Sequence, residues 1–71
     1  RQQYYQAKRY LEKSFAIEPD NPQCLMNLGL AYYYMGELED AIEKWKMLEK
    51  LDPSNQQVIN NIRAAERELN R

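Results

Sequence analysis

The chain has 71 residues, of which 44% are hydrophobic and 30% are charged, so it is too short for two domains and too apolar for a disordered segment. Ten basic and eleven acidic residues give a net charge of −1, without the excess positive charge that nucleic acid attracts. No apolar run approaches the roughly 18 residues of a membrane helix. We therefore expect one small domain with no nucleic-acid partner and no membrane insertion.

Histidine is absent from the sequence, and Cys24 is the only cysteine. A zinc site, a Cys–His or Ser–His nucleophile pair and an internal disulfide all need residues that this composition lacks. We expect no catalysis, no cofactor and no metal. The unpaired cysteine slightly favours a reducing, cytoplasmic compartment. The chain begins directly in Arg1-Gln2-Gln3, and we expect it to be part of a longer protein.

Apolar residues recur at three- and four-residue intervals along the whole chain, which is the spacing of amphipathic helices. This pattern predicts four helices, at residues 3–18, 22–35, 38–51 and 55–70. No segment has the alternation of a strand, so the predicted fold class is all-α.

Glycine and proline separate these predicted helices. Gly36 lies between the second and the third helix, where a residue that tolerates positive φ closes a turn. Pro19 and Pro53 follow the first and the third helix and stop them, because proline has no amide hydrogen to continue the ladder. Asn21 and Asn55 come next in the chain and are suited to cap the helices that follow.

The sequence also resembles itself at an offset of about 34 residues. Identities at this offset pair Ala7 with Ala41, Pro19 with Pro53, Asn21 with Asn55, Gln23 with Gln57, Asn27 with Asn61 and Ala31 with Ala65. Apolar positions also fall on apolar positions. A helical repeat of about 34 residues is the simplest explanation.

One helix pair and the proline after it carry a spaced motif, which reads Leu25-x-x-Leu28-Gly29-x-x-Tyr32, then Ala41-x-x-x-Trp45, then Pro53. This motif resembles that of the tetratricopeptide repeat family. The resemblance implies antiparallel helix-turn-helix repeats in a right-handed α-solenoid fragment of four helices. It divides the single domain 1–71 into the second helix of a preceding repeat at 1–19, a complete repeat at 20–53, and the first helix of a next repeat or a capping helix at 54–71.

The small residues of the motif have a physical purpose. Gly29 has no side chain, so it lets the partner helix approach closely, and we expect Ala41 to supply the matching small surface. Trp45 and Tyr32 then fill the wider space beside that contact as core aromatics. In the last helix Arg63 and Glu66 take the places of the family's Gly and Tyr. This replacement favours a capping helix with a solvent-exposed outer face.

In this family the first helix of each repeat lines a concave groove that binds partner segments. The resemblance places eleven residues on that face: Gln23, Met26, Asn27, Leu30, Tyr33, Tyr34, Gln57, Asn60, Asn61, Ala64 and Arg67. Chaperone-binding members hold a terminal carboxylate with Lys, Arg and Asn on these faces. Because Met26 and Leu30 stand at the corresponding places, we do not expect a carboxylate clamp.

We therefore expect a protein-protein interaction module that binds a peptide or protein segment. Two alternatives stay open: a self-assembly module that forms a homo-oligomer through its incompletely covered first helix, and a docking or regulatory domain of a larger enzyme. Leu30, Tyr33 and Tyr34 could equally pack against a neighbouring helix of the longer parent array and be exposed here only by truncation. The acidic residues at the start of the third helix are expected to be a solvated face: Glu37, Glu39, Asp40 and Glu43.

Overall fold

The computed structural model describes residues 2–71, so the first residue of the predicted half repeat 1–19 lies outside the described residues. The described residues form four α-helices and no strand: α1 Gln2–Ile17, α2 Pro22–Tyr34, α3 Leu38–Leu51 and α4 Gln56–Leu69. Each predicted helix is confirmed, and each end agrees to within one residue. Short turns make each helix antiparallel to the one before it, so α2 and α4 run in the same direction.

Asparagine caps begin α2 and α4, as the sequence predicts. The Asn21 side chain accepts a hydrogen bond from the amide of Cys24 at 3.2 Å, and Pro22 opens the first turn of α2. The Asn55 side chain accepts from the amide of Val58 at 3.2 Å in the same way. Each cap satisfies an amide that has no partner within its own helix.

The turn between α2 and α3 depends on Gly36, whose φ of 81° lies in the left-handed region. Its amide donates to the carbonyl of Tyr33 at 3.0 Å, and the amide of Glu37 donates to the carbonyl of Tyr32 at 2.9 Å. These two bonds form a Schellman motif, in which glycine avoids the steric cost of the left-handed conformation.

The core lies between α2, α3 and α4. Its largest fully buried side chains are Leu25, Leu28, Trp45, Leu48 and Val58. The Trp45 ring is 1% exposed, and its Nε1–H donates to the carbonyl of Met26 at 3.3 Å. The prediction that Trp45 is a core aromatic is confirmed, and its one polar group is satisfied.

The indole of Trp45 makes the closest approach to Gly29. A Cβ atom added at Gly29 would lie 2.5 Å from Cδ1 and 2.6 Å from Cε2 of Trp45, whose indole supplies all the nearest atoms. Ala41 is fully buried in the same core, and its close contact with Gly29 stays a prediction. The large ring lies directly over the glycine because only hydrogen on Gly29 leaves room for it.

Helix α1 is the least covered element, since none of its described residues is buried. Leu11 and Phe15 are half-buried and pack against the core. The ammonium group of Lys44 lies 4.7 Å from the centre of the Phe15 ring, and the Cys24 thiol donates to the carbonyl of Leu11 at 3.4 Å. The expected incomplete cover of α1 is confirmed, with Ile17 81% exposed.

Candidate functional site

The parallel helices α2 and α4 present neighbouring surfaces, which we call the α2–α4 face. It consists of the eleven residues that the sequence places on the family's groove: Gln23, Met26, Asn27, Leu30, Tyr33, Tyr34, Gln57, Asn60, Asn61, Ala64 and Arg67. The side-chain amide of Asn61 donates to the sulfur of Met26 at 3.6 Å, which brings the two helices together. This contact joins the apolar part of the face to its amide part.

The apolar part of the α2–α4 face is also part of the core. Met26, Leu30 and Tyr33 are partly buried and pack against the core residues. Tyr34 is 55% exposed, and Gln23 is exposed in the first turn of α2. A ligand would therefore meet the outer surfaces of firmly packed apolar side chains, and Tyr34 is the aromatic group most open to it.

A row of aromatic rings runs from α1 across α2 to α3. The ring of Tyr4 stacks on that of Tyr34 at 5.1 Å and 26°. Tyr34 meets Tyr33 edge-on at 5.5 Å, and Tyr33 lies 5.9 Å from Trp45. Within the chain, the Tyr34 ring packs on α1 and the Tyr33 ring packs on α3, and Tyr34 keeps 55% of its surface exposed. The sequence analysis did not place Tyr4 in this row. The antiparallel arrangement of α1 and α2 puts the start of α1 beside the end of α2, which brings Tyr4 next to Tyr34.

The α4 part of the face carries amides and one charge. Gln56 donates to the side-chain oxygen of Asn60 at 3.2 Å, and this pair is exposed. Arg67 is exposed, and no carboxylate of residues 2–71 lies within 4.0 Å of it. Arg67 is the one charged residue among the eleven, and the Glu68 carboxylate follows it directly in α4, at the position equivalent to Tyr34.

A second polar cluster, outside this face, connects α1 to the α2–α3 pair. Lys8 forms an ion pair with Glu37 at 3.3 Å, and its ammonium group lies 5.7 Å from the centre of the Tyr32 ring. The Tyr32 hydroxyl donates to the Glu12 carboxylate at 2.7 Å. Burial, and then this hydrogen bond, raise the pKa of Tyr32 well above its ordinary value. Residue spacing does not predict this cluster, because the cluster depends on how α1 is rotated against α2.

Cys24 is buried behind α1 and is unsuited to nucleophilic chemistry. Burial, with a smaller effect of the Glu18 carboxylate, raises the pKa of its thiol. A thiol needs a lowered pKa and access to solvent to react readily. Cys24 is therefore a structural side chain in the folded protein.

The acidic residues at the start of α3 form a solvated face, as expected. Glu39, Asp40 and Glu43 are exposed, while Glu37 pairs with Lys8. Within residues 2–71, no three acidic or cysteine side chains lie close enough together to hold a metal ion. None of the four helices combines the length and the apolar character that a membrane span requires.

Comparison with known proteins supports the repeat that the geometry displays. The model of the family described as "Tetratricopeptide repeat" matches residues 22–55, which are α2, α3 and the turn that leads to α4. A comparison with curated proteins finds no match. Repeats of this family are non-catalytic scaffold elements that generally mediate protein–protein interaction. Residues 22–55, which contain the paired helices α2 and α3, therefore form a tetratricopeptide repeat.

Proposed function

We propose that the chain binds an extended segment of a partner protein along the α2–α4 face and has no catalytic activity of its own. The observation that supports this proposal best is the contact between Met26 and Asn61, because it sets an apolar strip beside a strip of amides. An extended segment has the same two-sided character, with side chains on one side and unpaired backbone groups on the other.

The apolar strip would receive side chains of the partner. Met26 and Leu30 offer adaptable surface that needs little rearrangement, since both already pack on the core. Tyr34 offers a ring and a hydroxyl at the solvent-exposed edge of the strip, and the stacking of its ring on Tyr4 limits its motion. A ring that is already ordered loses little conformational entropy when a partner binds.

The amide strip would hold the backbone of the partner. A side-chain amide has two donors and an acceptor, so it can bond the amide and the carbonyl of one peptide unit. Asn27 and Asn61 stand at equivalent positions of α2 and α4, and both are half-buried. Gln23 and Asn60 extend the same strip and are exposed.

The proposal can be tested with an immobilised chain and a library of random peptides whose two ends are blocked. We expect the double variant Met26→Ser/Tyr34→Ser to bind the retained peptides about tenfold more weakly than the wild type, which corresponds to about 1.4 kcal/mol. The matched control is Glu39→Ser/Lys50→Ser, because both of its residues are exposed on α3, away from the α2–α4 face.

Circular dichroism checks that both double variants keep their helices. Equal loss of binding in both variants would contradict a site on the α2–α4 face. Retention of binding in the Met26→Ser/Tyr34→Ser variant with loss in the α3 control would move the site to the outer face of α3.

A further inference from the structure

The open side of α1 borders a groove that runs between α1 and α2. Residues of both helices line this groove, among them Tyr10, Leu11, Ser14, Cys24 and Asn27. We propose that α4 of a second copy of this chain lies in the groove. The inference concerns a contact between copies, and it goes beyond the binding of a partner segment.

The surface of this groove occurs a second time in the chain, where it is buried. At the offset of about 34 residues its members pair as Leu11 with Trp45, Ser14 with Leu48 and Cys24 with Val58. Trp45, Leu48 and Val58 are at most 2% exposed. Leu11 and Ser14 are only half-buried, and Tyr10 beside them is 70% exposed. The groove is therefore the uncovered counterpart of a covered surface.

Helix α2 covers the buried counterpart. The indole of Trp45 lies against Gly29 of α2, and its Nε1–H donates to the carbonyl of Met26 at 3.3 Å. Asn61 of α4 donates to the sulfur of the same methionine at 3.6 Å. Because α4 is the equivalent of α2 at the repeat offset, α4 is the helix that matches the open groove. Within the chain α4 packs against α3, so a second copy has to supply it.

Two differences between the repeats compensate each other at this contact. Inside the chain the large Trp45 meets Gly29. Between copies Leu11 takes the place of Trp45, and Arg63 takes the place of Gly29. The smaller residue in the groove thus leaves room for the larger one on α4. The aliphatic stem of an arginine can cover an apolar side chain while its guanidinium stays in water.

A pair of amides forms the polar part of the contact. The residues equivalent to Asn61 and Met26 across the two copies are Asn27 of one copy and Asn60 of the other. Each side-chain amide has donors and an acceptor, so the two can bond each other more strongly than an amide bonds a thioether. Asn27 is half-buried beside the groove and Asn60 is exposed, which leaves both accessible to a second copy.

This docking is heterologous, because α4 of one copy meets α1 and α2 of the next. Its repetition produces an open row of copies, in contrast to a closed dimer. The α2–α4 face then continues from each copy into the next. In this register Gln2 and Gln3 of one copy pass beside Asn70 and Arg71 of the other, and all four are exposed.

The test cross-links the proposed amide pair. Asn27→Cys and Asn60→Cys are made separately in a Cys24→Ala background and are checked by circular dichroism. They are then mixed at about millimolar concentration, where a weak contact is populated, and treated with a short bismaleimide reagent. Covalent dimers of the 8.5 kDa chain should form at least about fivefold faster in the mixture than in either variant alone, because the contact raises the effective concentration of the two thiols.

The matched control is Met26→Cys/Asn61→Cys in the same background, which carries the equivalent pair within one chain. The reagent should bridge this pair without joining two chains. A bridged control with no excess of dimer in the mixture would overturn the inference, and an unbridged control would overturn the register on which it depends. Equal dimer formation by Asn27→Cys alone would show that like surfaces pair, which also overturns it.

Discussion

The two glycines of the chain are required for different physical reasons. Gly29 is needed for space, because the indole of Trp45 fills the volume of a Cβ atom. Gly36 is needed for its backbone, since it has a φ of 81° and nothing within 4 Å of an added Cβ. The same substitution at the two positions therefore separates a packing effect from a backbone effect.

We expect Gly29→Ala to lower the free energy of unfolding by about 1–3 kcal/mol, because overpacking exceeds the gain of about 0.5–1 kcal/mol that alanine brings to a helix interior. Urea unfolding measures the change. In a Trp45→Leu background the penalty of Gly29→Ala should shrink, and the coupling between the two positions quantifies the contact. A neutral or stabilising Gly29→Ala would contradict the packing observed at this site.

Gly36→Ala should cost about 1–2 kcal/mol, which is the penalty of the left-handed conformation for a residue with a Cβ. Because no side chain lies near this position, the cost should be the same in the Trp45→Leu background. A cost that depends on Trp45 would show that the turn transmits strain into the core, contrary to the structure.

The raised pKa of Tyr32 predicts how stability depends on pH. Burial, followed by the bond to Glu12, keeps the proton on the Tyr32 hydroxyl in the folded protein, while the unfolded chain loses it near pH 10. The contribution of Tyr32 to stability is thus complete below about pH 10 and falls as the pH rises further. We expect wild type to lose more stability than Tyr32→Phe between pH 8 and 11, as measured by urea unfolding. Identical pH dependence of the two proteins would refute the assignment.

At the scale of elements, α1 is held to the repeat by few groups. It has no buried residue among those described, and its polar attachments are the Glu12–Tyr32 bond, the Lys8–Glu37 pair and the weak bond from the Cys24 thiol to the Leu11 carbonyl. Elements with little buried apolar surface open at low free energy. Cys24 lies behind α1, so its accessibility reports on this opening.

We expect Glu12→Ala to raise the rate at which a thiol reagent labels Cys24 by about three- to tenfold, because the substitution removes a hydrogen bond to a charged group. Lys13→Ala is the control, since Lys13 is a neighbouring exposed residue of α1 without a described partner. If the two variants label at the same rate, the Glu12–Tyr32 bond does not hold α1 in place.

The sequence predicts the elements far better than their contacts. Helix ends follow from local chemistry at residues such as Asn21, Asn55 and Gly36, whose caps and turns involve near neighbours in the chain. The members of the α2–α4 face follow from the repeat register. The Trp45–Gly29 contact and the Tyr4–Tyr34 stack depend on the rotation of one helix against another, which spacing alone does not determine.

At the scale of the whole molecule, the open side of α1 favours self-association, which stays a prediction. Tyr10 is 70% and Ile17 is 81% exposed on this helix. Exposed apolar surface tends to acquire a partner. We expect sedimentation across a concentration series to show a dimer or larger species, and Tyr10→Ser/Ile17→Ser to shift it towards 8.5 kDa. A single 8.5 kDa species of wild type up to about millimolar concentration would rule this out.

The binding of a partner segment along α2 and α4 is tested most directly by amide chemical shifts of the labelled chain during titration with a retained peptide. We expect the largest changes on the α2–α4 face, at Gln23, Leu30, Tyr34, Asn60 and Arg67. The outer surfaces of α1 and α3 should change little. Changes that centre on Arg9 and Lys13 of α1, or on Glu39 and Lys50 of α3, with the α2–α4 face unperturbed, would contradict a binding site on that face.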